Sequence, residues 1–161
     1  MAKKRVKKYV LDFSDQPIGF QMKIIGIKSH APLHKLAFYL NKSFGFQFYL
    51  HPNKININRK KKNLEFEFFT IPSDENEERI FLVNNETLYE IEDPFGGLFS
   101  SSEAFYMIPE LENINYLLFL HNDFPIDIPE LQQQFEASFQ TKWVEINMEK
   151  INNSIPNFPV F

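Results

Sequence analysis

The stretch that decides the fold runs from Met107 to Leu120 and reads MIPELENINYLLFL. A stiff turn at Pro109-Glu110 leads through polar residues into the apolar run Tyr116–Leu120. An apolar run that ends at polar residues, here His121-Asn122-Asp123, is typical of a strand buried on both faces. The rest of the chain is therefore expected to fold over this strand.

Periodic apolar spacing on either side of this strand predicts two helices. Ser29 is placed to cap the first helix, whose apolar residues recur at steps of three and four until Gly45 ends it. Asp127 begins the second helix with the spacing of a capping box. The two helices are thus expected at about 29–45 and 127–140.

Alternating or continuous apolar residues predict the strands. They fall at 5–13, 22–27, 46–50, 54–58, 64–69, 80–83, 104–107, in the stretch that ends at Leu120, and at 142–148. This order predicts an α+β fold, with a mostly antiparallel sheet of about six to eight strands and both helices on one face. At 161 residues the chain suits a single domain, with irregular tails at 1–5 and 152–161. Residues 85–100 carry no clear pattern.

The charges are distributed unevenly along the chain. Residues 1–62 carry a net charge of +12 and residues 63–161 a net charge of −16, although the whole chain carries only −4. Such an asymmetry can mark a face for nucleic acid or for an acidic partner. It can also mean that basic and acidic strands lie side by side and neutralise each other, as expected for the strands that flank the connection 59–63. The candidate contacts for an anionic partner are Lys3, Lys4, Arg5, Lys7, Lys8, Arg59, Lys60, Lys61 and Lys62.

Several classes of chemistry find no support in the sequence. The chain has no cysteine, which excludes disulfides, thiolate catalysis and cysteine-bound metals. His30 and His34 lie four residues apart, but no spacing supplies the third ligand that a metal site needs. No glycine-rich phosphate-binding motif is present. We therefore expect no metal, no cofactor and no membrane-spanning segment, and a cytoplasmic location.

An enzymatic function would have to use an unrecognised site. His121 and Asp123 follow the central strand, and strand ends bring side chains to the edge of a sheet, where an acid–base group could act. Glu110 and Glu112 could form a pair of carboxylates if their segment were extended. A catalytic role is the weaker expectation, because no nucleophile motif accompanies these residues.

The motif itself resembles a known signature. Ile108, Pro109, Glu110 and Tyr116 stand at positions fixed in the IPExxxVDY family of small proteins of Bacteroidota, while Ile114 and Asn115 replace its Val and Asp. The segments 26–42 and 147–150 are also similar to that family. The family is named for its motif and has no assigned biochemical activity, so the resemblance implies only a bacterial cytoplasmic protein. Because Asn cannot act as a base, Asn115 argues for a structural motif.

Three functions follow as expectations. The leading one is a non-enzymatic protein-binding or adaptor module whose partner contacts the Ile-Pro-Glu turn or the charged faces. An RNA- or ribosome-associated accessory protein that uses the basic first third is the alternative, and an enzyme with a site near His121 and Asp123 is the second. We also expect Tyr116 to bury its ring and to place its hydroxyl on a neighbouring polar group such as Glu110.

Overall fold

The computed structural model describes residues 22–72, 80–91, 101–121 and 127–151. Its two helices are α1 (Leu33–Phe44) and α2 (Ile128–Phe139). Its strands are β1 (Met22–Lys28), β2 (Tyr49–Leu50), β3 (Ile55–Arg59), β4 (Lys62–Phe66), β5 (Phe68–Thr70), β6 (Ile80–Asn84), β7 (Glu86–Ile91), β8 (Ser101–Tyr106), β9 (Tyr116–His121) and β10 (Lys142–Glu145). Short 3-10 helices lie at Pro109–Leu111 and Met148–Ile151. The predicted strand 5–13 and both tails lie outside the described residues.

The central strand is β9, as the sequence predicts. Six strands form one antiparallel sheet in the order β10-β1-β9-β6-β5-β2, so β9 has a hydrogen-bonded neighbour on each side. Residues 117–120 are all buried, so β9 is covered on both faces of the sheet. The α+β fold with a mostly antiparallel sheet is therefore confirmed, and two further pairs, β3-β4 and β7-β8, form separate two-stranded sheets.

Different elements cover the two faces of the six-stranded sheet. On one face α1 and α2 pack against the strands, with Leu36, Leu40 and Phe135 fully buried. On the other face the β3-β4 and β7-β8 hairpins and the motif segment enclose a second cluster. Both helices thus lie on one face, as predicted. The covering of the opposite face explains why the central strand is apolar throughout rather than alternating.

Helix α1 begins four residues later than the sequence predicts. Pro32 adopts an extended conformation, with φ −67° and ψ 154°, and precedes the helix without a side-chain cap. The predicted capping role of Ser29 is wrong, because its Oγ accepts a hydrogen bond from the Ala31 N–H at 3.1 Å instead. A residue before proline is steered away from helical angles, which delays the start of the helix. Gly45 ends the helix in the left-handed region at φ 70°, as predicted.

The β3-β4 hairpin is tighter than the predicted connection 59–63. Lys60 and Lys61 alone form the turn, at positive φ values of 50° and 64°, as hairpin turns of the primed type require. Arg59 and Lys62 therefore belong to the strands and pair with each other. The prediction of one strand at 64–69 is also wrong in one respect, because the chain forms two strands that are separated at Glu67. The first, β4, pairs within the hairpin, and the second, β5, belongs to the six-stranded sheet.

The second helix and the last strand follow the sequence more closely. Asp127 caps α2 by accepting a hydrogen bond from the Glu130 N–H at 3.1 Å. Trp143 and Val144 lie on opposite faces of β10, as predicted, although the strand ends at Glu145 rather than at Met148. Neither of the described helices is long and apolar enough to span a membrane.

Candidate functional site

A buried asparagine holds the motif segment in place. Asn85 is completely buried, and its Nδ2 donates to the carbonyls of Leu111 at 2.8 Å and Ile114 at 3.0 Å. Its Oδ1 accepts from the Ile108 N–H at 3.0 Å. Its main chain adds bonds to Met107 and to Asn115. One side chain therefore closes the loop between β8 and β9.

The last two motif residues bind the segment that leads into α1. Asn115 Oδ1 accepts a hydrogen bond from the Ser29 N–H at 3.0 Å, and the Tyr116 hydroxyl donates to the Ala31 carbonyl at 2.6 Å. The expectation that this hydroxyl binds Glu110 is therefore corrected, because Glu110 lies in the 3-10 turn at an exposed position. The motif fixes the chain just before α1 begins.

A second contact joins the motif to the same part of the chain. A Cβ atom added to Gly26 would come within 3.1 Å of Ile114 Cγ2 and 3.1 Å of Ile146 Cδ1. Gly26 therefore allows β1 to approach the motif closely, which a side chain would resist. The motif segment and β1 thus pack directly on each other.

An open pocket lies beside Tyr116, where the start of α1 meets strands β2, β5, β6 and β9. It has a volume of about 390 Å³, and we call it the Tyr116 pocket. Its lining residues are Pro32, Leu33, His34, Leu50, Glu67, Phe69, Asn84 and Tyr116. Leu50 faces Phe69 across β2 and β5, and Asn84 faces Tyr116 across β6 and β9. The motif therefore forms one wall of the pocket and fixes the neighbouring wall through Ser29 and Ala31.

The pocket combines apolar walls with polar groups that form no hydrogen bond or ion pair within the described ranges. Among the described residues, the side chains of His34, Glu67 and Asn84 have no hydrogen-bonding or ionic partner. In the first turn of α1, the Lys35 and Leu36 N–H groups bind the Pro32 carbonyl. The Leu33 and His34 N–H groups have no acceptor within the described part of the chain, as is usual where no side chain caps a helix. The pocket thus offers both donors and acceptors to a ligand.

The electrostatic surroundings of the pocket are acidic. Burial, and to a lesser extent the nearby carboxylate of Glu86, raise the pKa of Tyr116 above its ordinary value of 10.0. The tyrosine is therefore neutral at physiological pH and acts as a hydrogen-bond donor. Glu67 lines the pocket, and no lysine or arginine of the described ranges does. Glu67 in the lining and Glu86 near Tyr116 are both exposed, and together they give this region negative charge.

Exposed apolar side chains extend this surface. Leu50 is 51% exposed on β2, which lies at one edge of the six described strands of the sheet. Phe38 is 58% exposed and lies one helical turn after His34, on the same side of α1. Exposed apolar groups beside a pocket are a common feature of binding surfaces. Leu50 and Phe38 therefore enlarge the apolar area that a partner could cover.

The basic residues of the predicted anionic-partner surface do not all remain available. Arg59 donates from Nη1 to the Tyr106 carbonyl at 2.6 Å and from Nη2 to the Met107 carbonyl at 3.1 Å. Lys62 forms an ion pair with Glu103 at 2.7 Å, with its Nζ 4.7 Å from the centroid of the Phe105 ring. The exposed Lys60 and Lys61 are left at the turn, while Lys3, Lys4, Arg5, Lys7 and Lys8 lie outside the described residues.

Part of the charge asymmetry is neutralised within the fold. Besides the Lys62 pair, Lys54 meets Glu65 across the β3-β4 hairpin at 3.4 Å. This cross-strand pairing is the arrangement that the alternating sequence predicts.

Of the residues considered for catalysis and metal binding, those in the described ranges are not assembled into one site. His121 ends β9, whereas Glu110 precedes the start of that strand, so the length of β9 separates them. Asp123 lies outside the described residues. His30 and His34 are both exposed near the start of α1, and no group of three potential ligands for a metal ion occurs in the described ranges.

Comparisons with known proteins found no relative of this chain. No protein-family model matches the chain, and neither a curated protein nor a solved structure does. The resemblance to the IPExxxVDY signature therefore rests on the motif residues themselves.

Sequence reasoning missed most of the residues that build the site. Asn84 and Asn85 follow a short apolar strand, and two consecutive amides at a strand end were the available signal. Leu50 and Glu67 come from other parts of the chain, and the pairing of β2 with β5 and of β5 with β6 brings them to the same place. The pattern of residues along the sequence does not show which strands pair, so it could not predict that these residues lie close together.

Proposed function

We propose that the protein is a non-enzymatic protein-binding module and that its partner docks at the Tyr116 pocket. One observation carries the proposal. An open pocket of about 390 Å³ lies beside the exposed side chains of Leu50 and Phe38, and it contains polar groups that have no partner among the described residues. Interfaces commonly combine a buried apolar anchor with a polar rim. This surface supplies both.

The way in which the pocket is held supports a binding role. Asn85, Asn115 and Tyr116 fix two of its walls through side-chain hydrogen bonds to main-chain groups. A surface that is already ordered loses less conformational entropy when a partner binds. The motif then serves binding indirectly, by holding the pocket in shape.

Photo-crosslinking tests this proposal at one defined position. A photoreactive phenylalanine analogue is placed at Leu50 in the full chain, in the cells to which the protein belongs. The matched control carries the same analogue at Leu88, a second leucine that is 64% exposed but lies on β7 and does not line the Tyr116 pocket. We expect a discrete protein adduct from Leu50 and none of the same mass from Leu88.

Two results would contradict the proposal. The first is that the analogue at Leu50 forms no adduct with another protein. The second is that the analogues at Leu50 and at Leu88 form the same adduct. Substitution of Asn84 by Ala in the Leu50 variant should reduce the yield of the adduct, because it removes a polar group of the pocket.

We also propose that the chain is a cytoplasmic bacterial protein related to the IPExxxVDY family. Four of the six fixed positions of the signature support it, namely Ile108, Pro109, Glu110 and Tyr116. The lack of cysteine is compatible with a reducing compartment. Fractionation of the native cells, with detection of the untagged protein, tests the location, and recovery outside the cytoplasmic fraction would contradict it.

A further inference from the structure

The acidic character of the Tyr116 pocket narrows the class of partner. Glu67 lines the pocket and Glu86 lies close enough to influence Tyr116, while neither carboxylate forms an ion pair within the described residues. Among the described residues, no lysine or arginine belongs to the lining. Charge complementarity at an interface therefore favours a partner that presents a positive charge here.

The apolar wall and the size of the pocket define a second requirement. Leu33, Leu50 and Phe69 form an apolar side that suits an aliphatic group. The volume of about 390 Å³ is near the lower end of the range for ligand pockets. One or two side chains can enter, whereas a folded element such as a helix cannot.

The available hydrogen-bond donors suit a main chain that is extended. The N–H groups of Leu33 and His34 lack acceptors among the described residues, and the amide of Asn84 can donate as well. A carbonyl group of an extended peptide can accept from them. On the neighbouring wall β2 is, among the described strands, an edge strand that pairs only with β5, and such edges commonly receive peptides.

We propose that the Tyr116 pocket receives an extended segment of a partner protein in which a lysine or arginine stands next to an aliphatic residue. The aliphatic side chain lies against Leu50 and Phe69. The cationic side chain meets Glu67 and Glu86. This inference rests on the proposed function and specifies the partner of the same site.

Blocked peptides provide a direct test with the full chain. Three fluorescent hexapeptides, acetylated and amidated, share glycine flanks and differ at their centres, which are Lys-Leu, Glu-Leu and Lys-Ser. Fluorescence polarisation gives their affinities, and amide chemical shifts of the labelled protein locate the contact. We expect the Lys-Leu peptide to bind most tightly and to shift the amides of Leu33, His34 and Leu50.

Substitutions separate the charge requirement from general effects on the fold. Glu67→Gln should weaken binding of the Lys-Leu peptide about threefold to fivefold. A change of this size is expected because the loss of an exposed ion pair changes a dissociation constant by no more than about fivefold. Glu145→Gln is the matched control, since Glu145 is exposed on β10 at the opposite edge of the sheet and should leave the affinity unchanged. Raising the salt concentration should weaken binding to the wild type more than to the Glu67→Gln variant.

The outcomes distinguish this inference from the proposed function. Equal or tighter binding of the Glu-Leu peptide, or no binding of the Lys-Leu peptide, overturns the inference about the partner's chemistry. Binding of free lysine as tight as that of the Lys-Leu peptide also overturns it, because the occupant would then be a small amine. A specific adduct at Leu50 would still uphold protein binding in each of these cases, whereas the loss of that adduct would remove the proposed function itself.

Discussion

Substitution of Asn85 by alanine should be the most destabilising single change in the motif region. The side chain forms three hydrogen bonds to main-chain groups, at 2.8, 3.0 and 3.0 Å, and is fully buried. The Ile108 N–H and the Ile114 carbonyl lie in buried bonds, and each costs about 1–3 kcal/mol when it is left without a partner. Leu111 is partly exposed, so water can satisfy its carbonyl.

The two buried groups together predict a loss of about 2–6 kcal/mol in the free energy of unfolding, centred near 4 kcal/mol. This is a large fraction of the roughly 5–15 kcal/mol that stabilises a typical domain. Equilibrium unfolding in urea measures it, and the slope against urea concentration should stay constant if the folded state keeps its compactness. Asn85→Asp should be at least as damaging at neutral pH, because its carboxylate would face two carbonyl oxygens.

Asn58→Ala is the matched control for Asn85→Ala. Asn58 is an exposed asparagine on β3, and its replacement should change the free energy of unfolding by no more than about 0.5 kcal/mol. A loss below about 1 kcal/mol for Asn85→Ala would refute the assignment of Asn85 as the residue that closes the motif loop.

Three further substitutions test the contacts around the pocket, and urea unfolding measures each. Tyr116→Phe should lower the free energy of unfolding by about 1 kcal/mol, because the hydrogen bond of the hydroxyl is lost. Since the pKa of Tyr116 is raised in the folded state, the extra stability of the wild type is present below pH 10.0 and is lost as the pH rises through the raised pKa. A stability difference that grows with pH would contradict this assignment. Asn115→Leu should cost about 1 kcal/mol by removing the acceptor for the Ser29 N–H, whereas Asn115→Asp keeps an acceptor and should stay within about 0.5 kcal/mol of the wild type; equal losses would be inconsistent with this role. Arg59→Lys should cost about 1–2 kcal/mol because an ammonium cannot reproduce the fork that binds two main-chain carbonyls, and Lys60→Ala, at the exposed turn, should be nearly neutral.

The parts of the fold that the sequence predicts are those set by local chemistry. The apolar run of β9, the helix stop at Gly45 and the cap at Asp127 each depend on residues close in sequence, and the structure contains all three. The sequence predicts too early a start for α1, because serine is a preferred N-cap residue. The proline at 32 overrides that signal through its effect on the preceding residue.

The site depended on information that the sequence pattern does not carry. The hydroxyl of Tyr116 binds a residue 85 positions away, and Asn115 Oδ1 binds one 86 positions away. Such partners are fixed by strand order, here by β9 lying next to β1. The basic run 59–62 likewise appeared uniform, although its strand positions take Arg59 and Lys62 into internal contacts and leave Lys60 and Lys61 exposed.

Hydrogen–deuterium exchange of the full chain with and without the protein identified by crosslinking at Leu50 tests the central claim most directly. Docking at the Tyr116 pocket should slow exchange of the amides at Leu33 and His34 and in residues 49–50, and should leave β7 unchanged. Slowed exchange confined to residues 86–91, or no change at the start of α1, would contradict the assignment of the Tyr116 pocket as the docking site.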